Sequence, residues 1–247
     1  MDFLTALGQM QDPMNWALYG PPAILVLASS ALLAGWLKLK KGVKTNYTRK
    51  VFHVINFTYA ACIYLVGSTV AVLIYGGFGL GAMIVCLFLK DGHILLEGIA
   101  REQDAPHRKL YVIVPFVATA IAGIIDNSLV PRFAVVGYLV SGWGDAAGEP
   151  VGVRWGRHKY KVSALYGVSC TRSIEGSIGV FVASAVGATI ALIIAAIPFP
   201  IAIPIALAAA GAATLVEAVS SHGLDNLTVQ VTACMVASGS SYMLGLW

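Results

Sequence analysis

The sequence predicts an all-α, polytopic membrane protein: a bundle of about eight transmembrane helices with the N-terminus outside. The first observation is composition, because 58% of the 247 residues are hydrophobic and only 11% are charged. A soluble domain carries roughly 25% charged residues. So little charge cannot cover a water-exposed surface, which excludes a secreted or cytosolic domain, a disordered chain and a nucleic-acid-binding module. The mean hydropathy of +0.79 agrees with a membrane protein.

The second observation is a series of uncharged stretches, each close to the roughly 20 residues that cross a bilayer. The stretch 51–89 is long enough for two spans with a turn near Gly67. Two shorter stretches, 110–125 and 129–143, are separated by Asp126-Asn127-Ser128 and are predicted to form a tight helical hairpin. The remaining spans are predicted over 17–37, 176–197, 200–219 and 227–247. The total is eight spans, and seven is the nearest alternative.

The third observation is the placement of the basic residues, which concentrate on the cytoplasmic loops of membrane proteins. With eight spans, fifteen of the sixteen Lys and Arg residues fall on one side, and only Arg132 falls on the other. Both termini are therefore expected outside, and seven spans would break this agreement. We expect a single integral membrane domain over 1–247, with its active site on the cytoplasmic face. Its functional loops are expected at about 38–53, 90–109, 144–176 and 217–227.

The densest polar stretch begins with a stripe of glycines, Gly144, Gly148 and Gly152, at every fourth position. Asp145 and Glu149 are four residues apart, so that on a helix they share a face. A cationic cluster follows, made of Arg154, Arg157, His158 and Lys159. Carboxylates beside cations are what a Mg²⁺–nucleotide site requires, since the metal takes oxygen ligands and the phosphates take positive charge. The alternative is a glycine packing helix followed by an ordinary basic loop.

A second polar stretch, which leads into the span 176–197, contains Arg172, Ser173, Glu175, Gly176 and Ser177. One interpretation is a helix N-cap made by Ser173 or Ser177, with Glu175 favourable at the positive end of the helix. That interpretation does not account for Arg172, because a cation is unfavourable near a helix N-terminus unless it meets an anion.

Four further residues are candidates because of where they lie. Glu217 is the only charged residue in a long apolar run, and carboxylates at membrane depth are functional candidates by default. Asp225 and Asn226 follow at the turn between the last two spans, where the alternative is a helix cap. His53 lies just inside the second span, where the alternative is a hydrogen-bonded core histidine.

At these stretches the chain resembles the polytopic lipid-alcohol kinases, the family of phytol kinase and dolichol (polyprenol) kinase. Arg172 stands where that family usually has Lys, and Glu149 is an additional carboxylate. Four segments, in order between about residues 49 and 235, carry the resemblance: Arg49-Lys50-x-x-His53, Gly144-Asp145-x-x-Gly148-x-x-x-Gly152, Arg172-Ser173-x-Glu175-Gly176-Ser177, and Glu217 with Asp225-Asn226-Leu227.

The resemblance implies a membrane kinase that transfers the γ-phosphate of CTP, or of another nucleoside triphosphate, to the hydroxyl of an isoprenoid alcohol such as phytol or a polyprenol. Mg²⁺ is the expected cofactor, with Asp145, Glu149 and Glu175 as its candidate ligands. The catalytic candidates are Asp145, Glu175, Glu217, Asp225 and His53, of which Glu217, Asp225 or His53 would accept the hydroxyl proton. The nucleotide-binding candidates are Gly144, Gly148, Glu149, Gly152, Arg154, Arg157, Lys159, Arg172, Ser173, Gly176, Ser177 and Asn226.

Two other functions stay open. A CTP-dependent cytidylyltransferase acting on a lipid phosphate would need similar groups, although the longer signature of the phosphatidate enzymes is absent from the sequence. A secondary transporter would be expected to show internal repeats and polar breaks at mid-membrane depth. The expected partners are the nucleotide, the lipid alcohol and membrane lipids, and a homodimer is left open.

Overall fold

The structure is a computed structural model that describes residues 3–163 and 170–246, and these residues are almost entirely helical. The predicted class, a helical membrane protein, is confirmed. The helices are α1 (Phe3–Gln9), α2 (Pro13–Lys41), α3 (Thr45–Phe88), α4 (Ile94–Glu97), α5 (Leu110–Leu129), α6 (Ala134–Trp155), α7 (Ile174–Ile194), α8 (Phe199–Val219) and α9 (Asp225–Met243), and the strands are β1 (Lys159–Val162) and β2 (Cys170–Ser173).

Every predicted span overlaps one of these helices. Within the described residues, α2, α3, α5, α7 and α8 are long and apolar enough to cross a membrane. A straight helix as long as α3, with its 44 residues, would measure about 66 Å, whereas the hydrocarbon core is about 30 Å thick. The backbone of Ser68 is non-helical, with φ 56° and ψ −154°, and divides α3 near its middle into two segments of bilayer length. The count of eight spans stays a prediction, because α6 and α9 are not among the five.

The turn between the fourth and fifth predicted spans lies later than predicted. Helix α5 continues to Leu129, so that Asp126 and Asn127 belong to its last turns and are buried. The chain reverses at a 3₁₀ turn, Pro131–Phe133. Asn127 is hydrogen-bonded to the hydroxyl of Tyr138 on α6. These polar residues therefore mark a hydrogen-bonded bundle interior, whereas the sequence pattern favoured a loop.

The chain divides into two compact units, Met1–Val117 and Ala118–Trp247. The first unit is built on α2 and α3, with α4 against α2. Its core includes Ala34, Met83, Cys86, Leu96, Ile99 and Ala100. The predicted single domain over 1–247 stays a prediction.

The second unit is a helical bundle in which α6 packs mainly on α7, α7 on α8, and α9 on both α8 and α6. Helix α6 continues to Trp155, so that the Gly-Asp stretch is helical and does not form a loop. Between α6 and α7, β1 and β2 form an antiparallel pair in which Tyr160 is opposite Arg172. Strands of four residues between long helices leave too short a pattern to be predicted from sequence.

Candidate active site

A cluster of ionisable side chains lies where β2, α8 and α9 meet in the second unit. Arg172 Nη2 donates to Asp225 Oδ2 at 2.7 Å, and Arg172 Nε is 3.7 Å from Glu217 Oε1. The three side chains are only 12–13% exposed. The anion that the sequence led us to expect beside Arg172 is therefore provided by two carboxylates of the protein, those of Asp225 and Glu217.

Asp145 on α6 is electrostatically part of this cluster. Burial lowers the pKa of Arg172, and the negative charges of Asp225, Glu217 and Asp145 raise that pKa by more, so that the guanidinium stays charged. The charge of Asp145 also acts on Asp225. Three predicted catalytic residues, on α6, α8 and α9, thus act electrostatically on one arginine.

His222 also belongs to the cluster, although the sequence patterns did not single it out. Its backbone N–H donates to the Ser163 carbonyl at 2.9 Å, its Nδ1 is 3.9 Å from Asp225 Oδ2, and the residue is 6% exposed. Burial raises the pKa of Asp225. The hydrogen bond and charge of His222 and the charge of Arg172 lower this pKa by more, so that the net value is about 2. Its position three residues before Asp225 was the available signal. Asp225 is consequently an ionised anchor and a weak base.

Asn226, the predicted nucleotide-binding residue next to Asp225, is 7% exposed. Its Nδ2 donates to Thr119 Oγ1 of α5 at 3.0 Å. Asn226 therefore joins α9 to α5 at the edge of the cluster, and a direct contact with nucleotide stays a prediction.

The glycine stripe lies at the contact between α6 and α7. A Cβ at Gly144 would overlap Ser184 Oγ, and a Cβ at Gly148 would overlap Val180 Cγ2. A Cβ at Gly152 would lie 3.1 Å from Ser173 Oγ. These glycines allow the two helices to approach closely, as the packing alternative predicts. Whether any of them also contacts a nucleotide stays a prediction.

The start of α7 is tied to the strand pair. Ser173 Oγ accepts a hydrogen bond from the Gly176 backbone N–H at 3.1 Å, which is the N-cap considered from the sequence. A Cβ at Gly176 would lie 3.0 Å from the Gly148 carbonyl oxygen, so that this glycine too belongs to the α6–α7 contact. Ser177 Oγ lies 2.8 Å from the Tyr160 hydroxyl on β1.

Glu175 holds the turn that follows α6. Its Oε2 accepts from the Arg157 backbone N–H at 3.1 Å, and its Oε1 lies 2.7 Å from Nδ1 of His158. These contacts occupy both carboxylate oxygens. A role of Glu175 as a metal ligand would have to replace them and stays a prediction.

The predicted phosphate-binding cations at the end of α6 and on β1 face outward. Arg154, Arg157 and Lys159 are all exposed. The Arg154 guanidinium lies over the ring of Trp155, 5.3 Å from its centroid. Exposed cations can bind a polyphosphate, and Lys159 lies opposite Ser173, the residue that follows Arg172, in the strand pair.

The described residues contain no group of three or more His, Cys, Asp or Glu side chains arranged to hold a metal ion. Mg²⁺ in phosphoryl-transfer sites is usually held by one or two carboxylates together with substrate phosphates. Asp145 and Glu149, one turn apart on α6 and both half-buried, are a donor set of that kind. The residues present therefore fit a magnesium ion that arrives with a nucleotide.

His53 belongs to the first unit. Its ring packs against Phe57, with 4.4 Å between the ring centroids. One turn along the same face, Asn56 donates to Ser30 Oγ at 3.0 Å. These contacts agree with the alternative of a core histidine, and a catalytic role stays a prediction.

The apolar helices and the largely buried Arg172 cluster together define the class: a helical membrane protein with a charged site at its helix ends. Over 113 residues the chain is 35% identical to the phytol kinase of Synechocystis sp. (strain ATCC 27184 / PCC 6803 / Kazusa). The match covers 46% of this chain and 46% of that protein, so that the chain spans about half the length of the curated relative it matches. No protein-family model matches the chain. The identity over this segment confirms the resemblance to the phytol kinase and polyprenol kinase family.

Proposed function

We propose that the protein is a membrane kinase that transfers the γ-phosphate of CTP, or of another nucleoside triphosphate, to the hydroxyl of an isoprenoid alcohol such as phytol. The observation that carries this proposal is the Arg172 cluster, in which Glu217 and Asp225 hold a guanidinium beside the charge of Asp145. The similarity to a phytol kinase supports the same class of reaction.

Positive charge is the main requirement of the proposed reaction. Phosphoryl transfer passes through a loose transition state, in which catalysis is positioning and electrostatic stabilisation. Arg154, Arg157 and Lys159 are exposed and can neutralise the triphosphate. Arg172 is held by two carboxylates and is already oriented, so that it need not be ordered during the reaction.

Mg²⁺ would be held by Asp145 together with Glu149. When bound, the ion would neutralise phosphate oxygens and orient the triphosphate. Glu175 is the second candidate, because its present contacts are with the turn at Arg157 and His158.

The hydroxyl proton needs an acceptor within hydrogen-bond reach of the alcohol. Asp225 is a poor acceptor because its pKa is lowered to about 2. Glu217 is held less tightly by Arg172, at 3.7 Å compared with 2.7 Å for Asp225. We therefore favour Glu217 as the acceptor.

The isoprenoid chain can remain in the bilayer while its hydroxyl reaches Glu217. The outward-facing side chains around the end of α8 and the start of α7 are apolar, and they include Ile178, Val182, Leu215 and Val219. A polyisoprenoid chain that contacts such a surface stays within the hydrocarbon region, and only its polar end must approach the cluster.

The test uses purified protein in lipid nanodiscs, incubated with Mg²⁺, phytol or a polyprenol, and CTP labelled at either the γ- or the α-phosphate. Label from the γ-position in a lipid monophosphate is the expected result. A parallel reaction contains a lipid phosphate in place of the alcohol. Transfer of label from the α-position to lipid in that reaction would instead establish a cytidylyltransferase. No transfer from either position would overturn both enzymatic functions and favour the transporter. The Asp145→Asn variant is the negative control.

A further inference from the structure

The second unit contains a buried carboxyl group that the proposed reaction does not use. Asp126 on α5 and Gln230 on α9 are both 0% exposed. Gln230 Nε2 donates to Asp126 Oδ2 at 3.0 Å. The other two oxygens of this pair, Asp126 Oδ1 and Gln230 Oε1, are also buried and have no hydrogen-bond partner among the described residues.

The groups described around Asp126 are neutral. From α6, Gly137 lies against the carboxyl group, since a Cβ there would be 2.9 Å from Asp126 Oδ2 and 2.6 Å from Cys234 Sγ. Cys234 is the titratable group that α9 places beside Asp126, and its thiol donates to the Phe133 carbonyl at 3.3 Å. Tyr138, the titratable group from α6, is hydrogen-bonded to Asn127.

The cation nearest to Asp126 in sequence, Arg132, is hydrogen-bonded to other groups. Arg132 follows Asp126 by six positions, but its Nη2 donates to the Ala195 carbonyl at 2.9 Å and its Nη1 to the Leu246 carbonyl at 2.7 Å. Among the described residues, the side chains that hydrogen-bond to Asp126 are therefore the amide of Gln230 and the thiol of Cys234, both neutral, and Asp126 has no ion-pair partner. An ionised carboxylate in this position would be buried without compensation, which is strongly unfavourable.

We propose that Asp126 binds a proton and is held as a neutral carboxylic acid whose Oδ1–H donates to Gln230 Oε1. A carboxylic acid and a primary amide can form two hydrogen bonds side by side, one in each direction. The observed bond from Gln230 Nε2 to Asp126 Oδ2 is one of them. The two oxygens without partners are the donor and the acceptor that the second bond needs.

The protonated pair joins α5 to α9 without placing a net charge inside the bundle. It explains how a membrane helix can contain an aspartate that no cation balances. This proton site does not depend on the kinase proposal, because neither Asp126 nor Gln230 belongs to the Arg172 cluster.

The direct test is infrared spectroscopy of the purified protein in lipid, in H₂O and in D₂O, at neutral pH. The wild-type protein is expected to show the C=O stretch of a protonated carboxyl group that is lost in Asp126→Asn. In Gln230→Leu the same band should persist at a shifted frequency, because the amide partner is gone. If the wild type and Asp126→Asn do not differ in this band while both are folded by circular dichroism, the proposal is wrong.

Melting temperature provides a second readout. Asp126→Asn keeps both hydrogen bonds in an amide–amide pair, so its melting temperature should equal that of the wild type at about pH 4 or below, where the unfolded aspartate is also largely protonated. Asp126→Ala, which removes the pair, should melt lower. As the pH rises above about 4, the wild type should lose stability relative to Asp126→Asn, because the unfolded chain releases the proton that the folded state must keep. A wild-type melting temperature that depends on Na⁺ rather than on pH would overturn the proposal in favour of a bound cation.

Discussion

Arg172 and Asp225 are 53 positions apart in sequence, and their side chains meet at 2.7 Å. The pair joins β2 to the first turn of α9, and Glu217 at the end of α8 is the third member. Because these groups are largely removed from water, each depends on the others for compensation. Stability and the proposed catalysis therefore share the same residues.

Replacing Arg172 by Met should destabilise the protein and abolish phosphoryl transfer. The substitution leaves Asp225 and Glu217 without their cation, and breaking a buried pair in this way costs about 3–5 kcal/mol. Thermal unfolding in detergent and the γ-label assay measure the two effects.

Arg172→Lys is the matched control for that experiment. Lys keeps the positive charge but cannot offer the several N–H donors of arginine, so that we expect nearly full stability and reduced transfer. A Met variant that melts at the wild-type temperature would show that the pair contributes nothing to the fold.

Replacing Asp145 by Asn should abolish transfer without lowering the melting temperature. The variant keeps the size of the side chain but removes the charge that acts on Arg172 and that we assign to Mg²⁺. Glu149→Gln, one turn along α6, gives the comparison, and we expect a smaller loss. Full transfer by Asp145→Asn would eliminate Asp145 as the principal metal ligand.

Gly148→Ala tests whether the glycine stripe serves packing or nucleotide binding. The added Cβ would overlap Val180 Cγ2, so that we expect a loss of stability of about 1–3 kcal/mol from overpacking. Combining it with Val180→Ala should recover part of this loss, because the overlapping methyl group is removed. Thermal unfolding of both single variants and the double variant measures the coupling between the two positions.

Gly76→Ala on α3 is the control, since a Cβ there meets no atom within 4 Å. This variant should be as stable as the wild type or slightly more stable. If Gly148→Ala instead lost activity with no change in stability, a direct contact with nucleotide would be favoured over packing.

The first unit should lose stability in acid through Glu97. Burial raises the pKa of Glu97, but hydrogen bonds from Arg108 and Lys38 lower it by more, to about 2. The carboxyl group of Glu97 therefore binds a proton more weakly in the folded state than in the unfolded chain. The contribution of this network is complete above about pH 4.5, the ordinary pKa of a glutamate in the unfolded chain, and is lost as the pH falls towards 2.

Glu97→Gln should remove that pH dependence while lowering stability at neutral pH. Hydrogen exchange of the backbone around α4, measured for both proteins across this pH range, follows the effect locally. Identical acid profiles for Glu97→Gln and the wild type would contradict the assignment.

The helices were largely predictable from sequence, because long apolar stretches separated by basic loops admit few other structures in a membrane. The turn at Asp126-Asn127-Ser128 was predicted wrongly. Polar residues near the end of an apolar stretch indicate a loop, unless partners on other helices satisfy them. Tyr138 and Gln230 are such partners, and sequence spacing did not identify them.

The candidate site was predictable as a set of residues but not as an arrangement. The sequence indicated that Arg172 needed an anion, and the structure identifies Asp225 and Glu217 as its partners. The sequence did not indicate that Glu175 would bind the turn at Arg157, because that contact depends on a strand pair too short to predict. His222 was missed because its spacing of three residues from Asp225 is a weak signal for an isolated histidine in a polar turn.

The order in which the chain is synthesised gives the Arg172 cluster a further consequence. Arg172 and Glu217 leave the ribosome before Asp225, which lies on α9. A nascent chain whose α9 has not yet been synthesised therefore has an incomplete charge balance around Arg172. Packing of α9 against α8 completes this balance, so that the same step adds a helix to the bundle and completes the charge cluster.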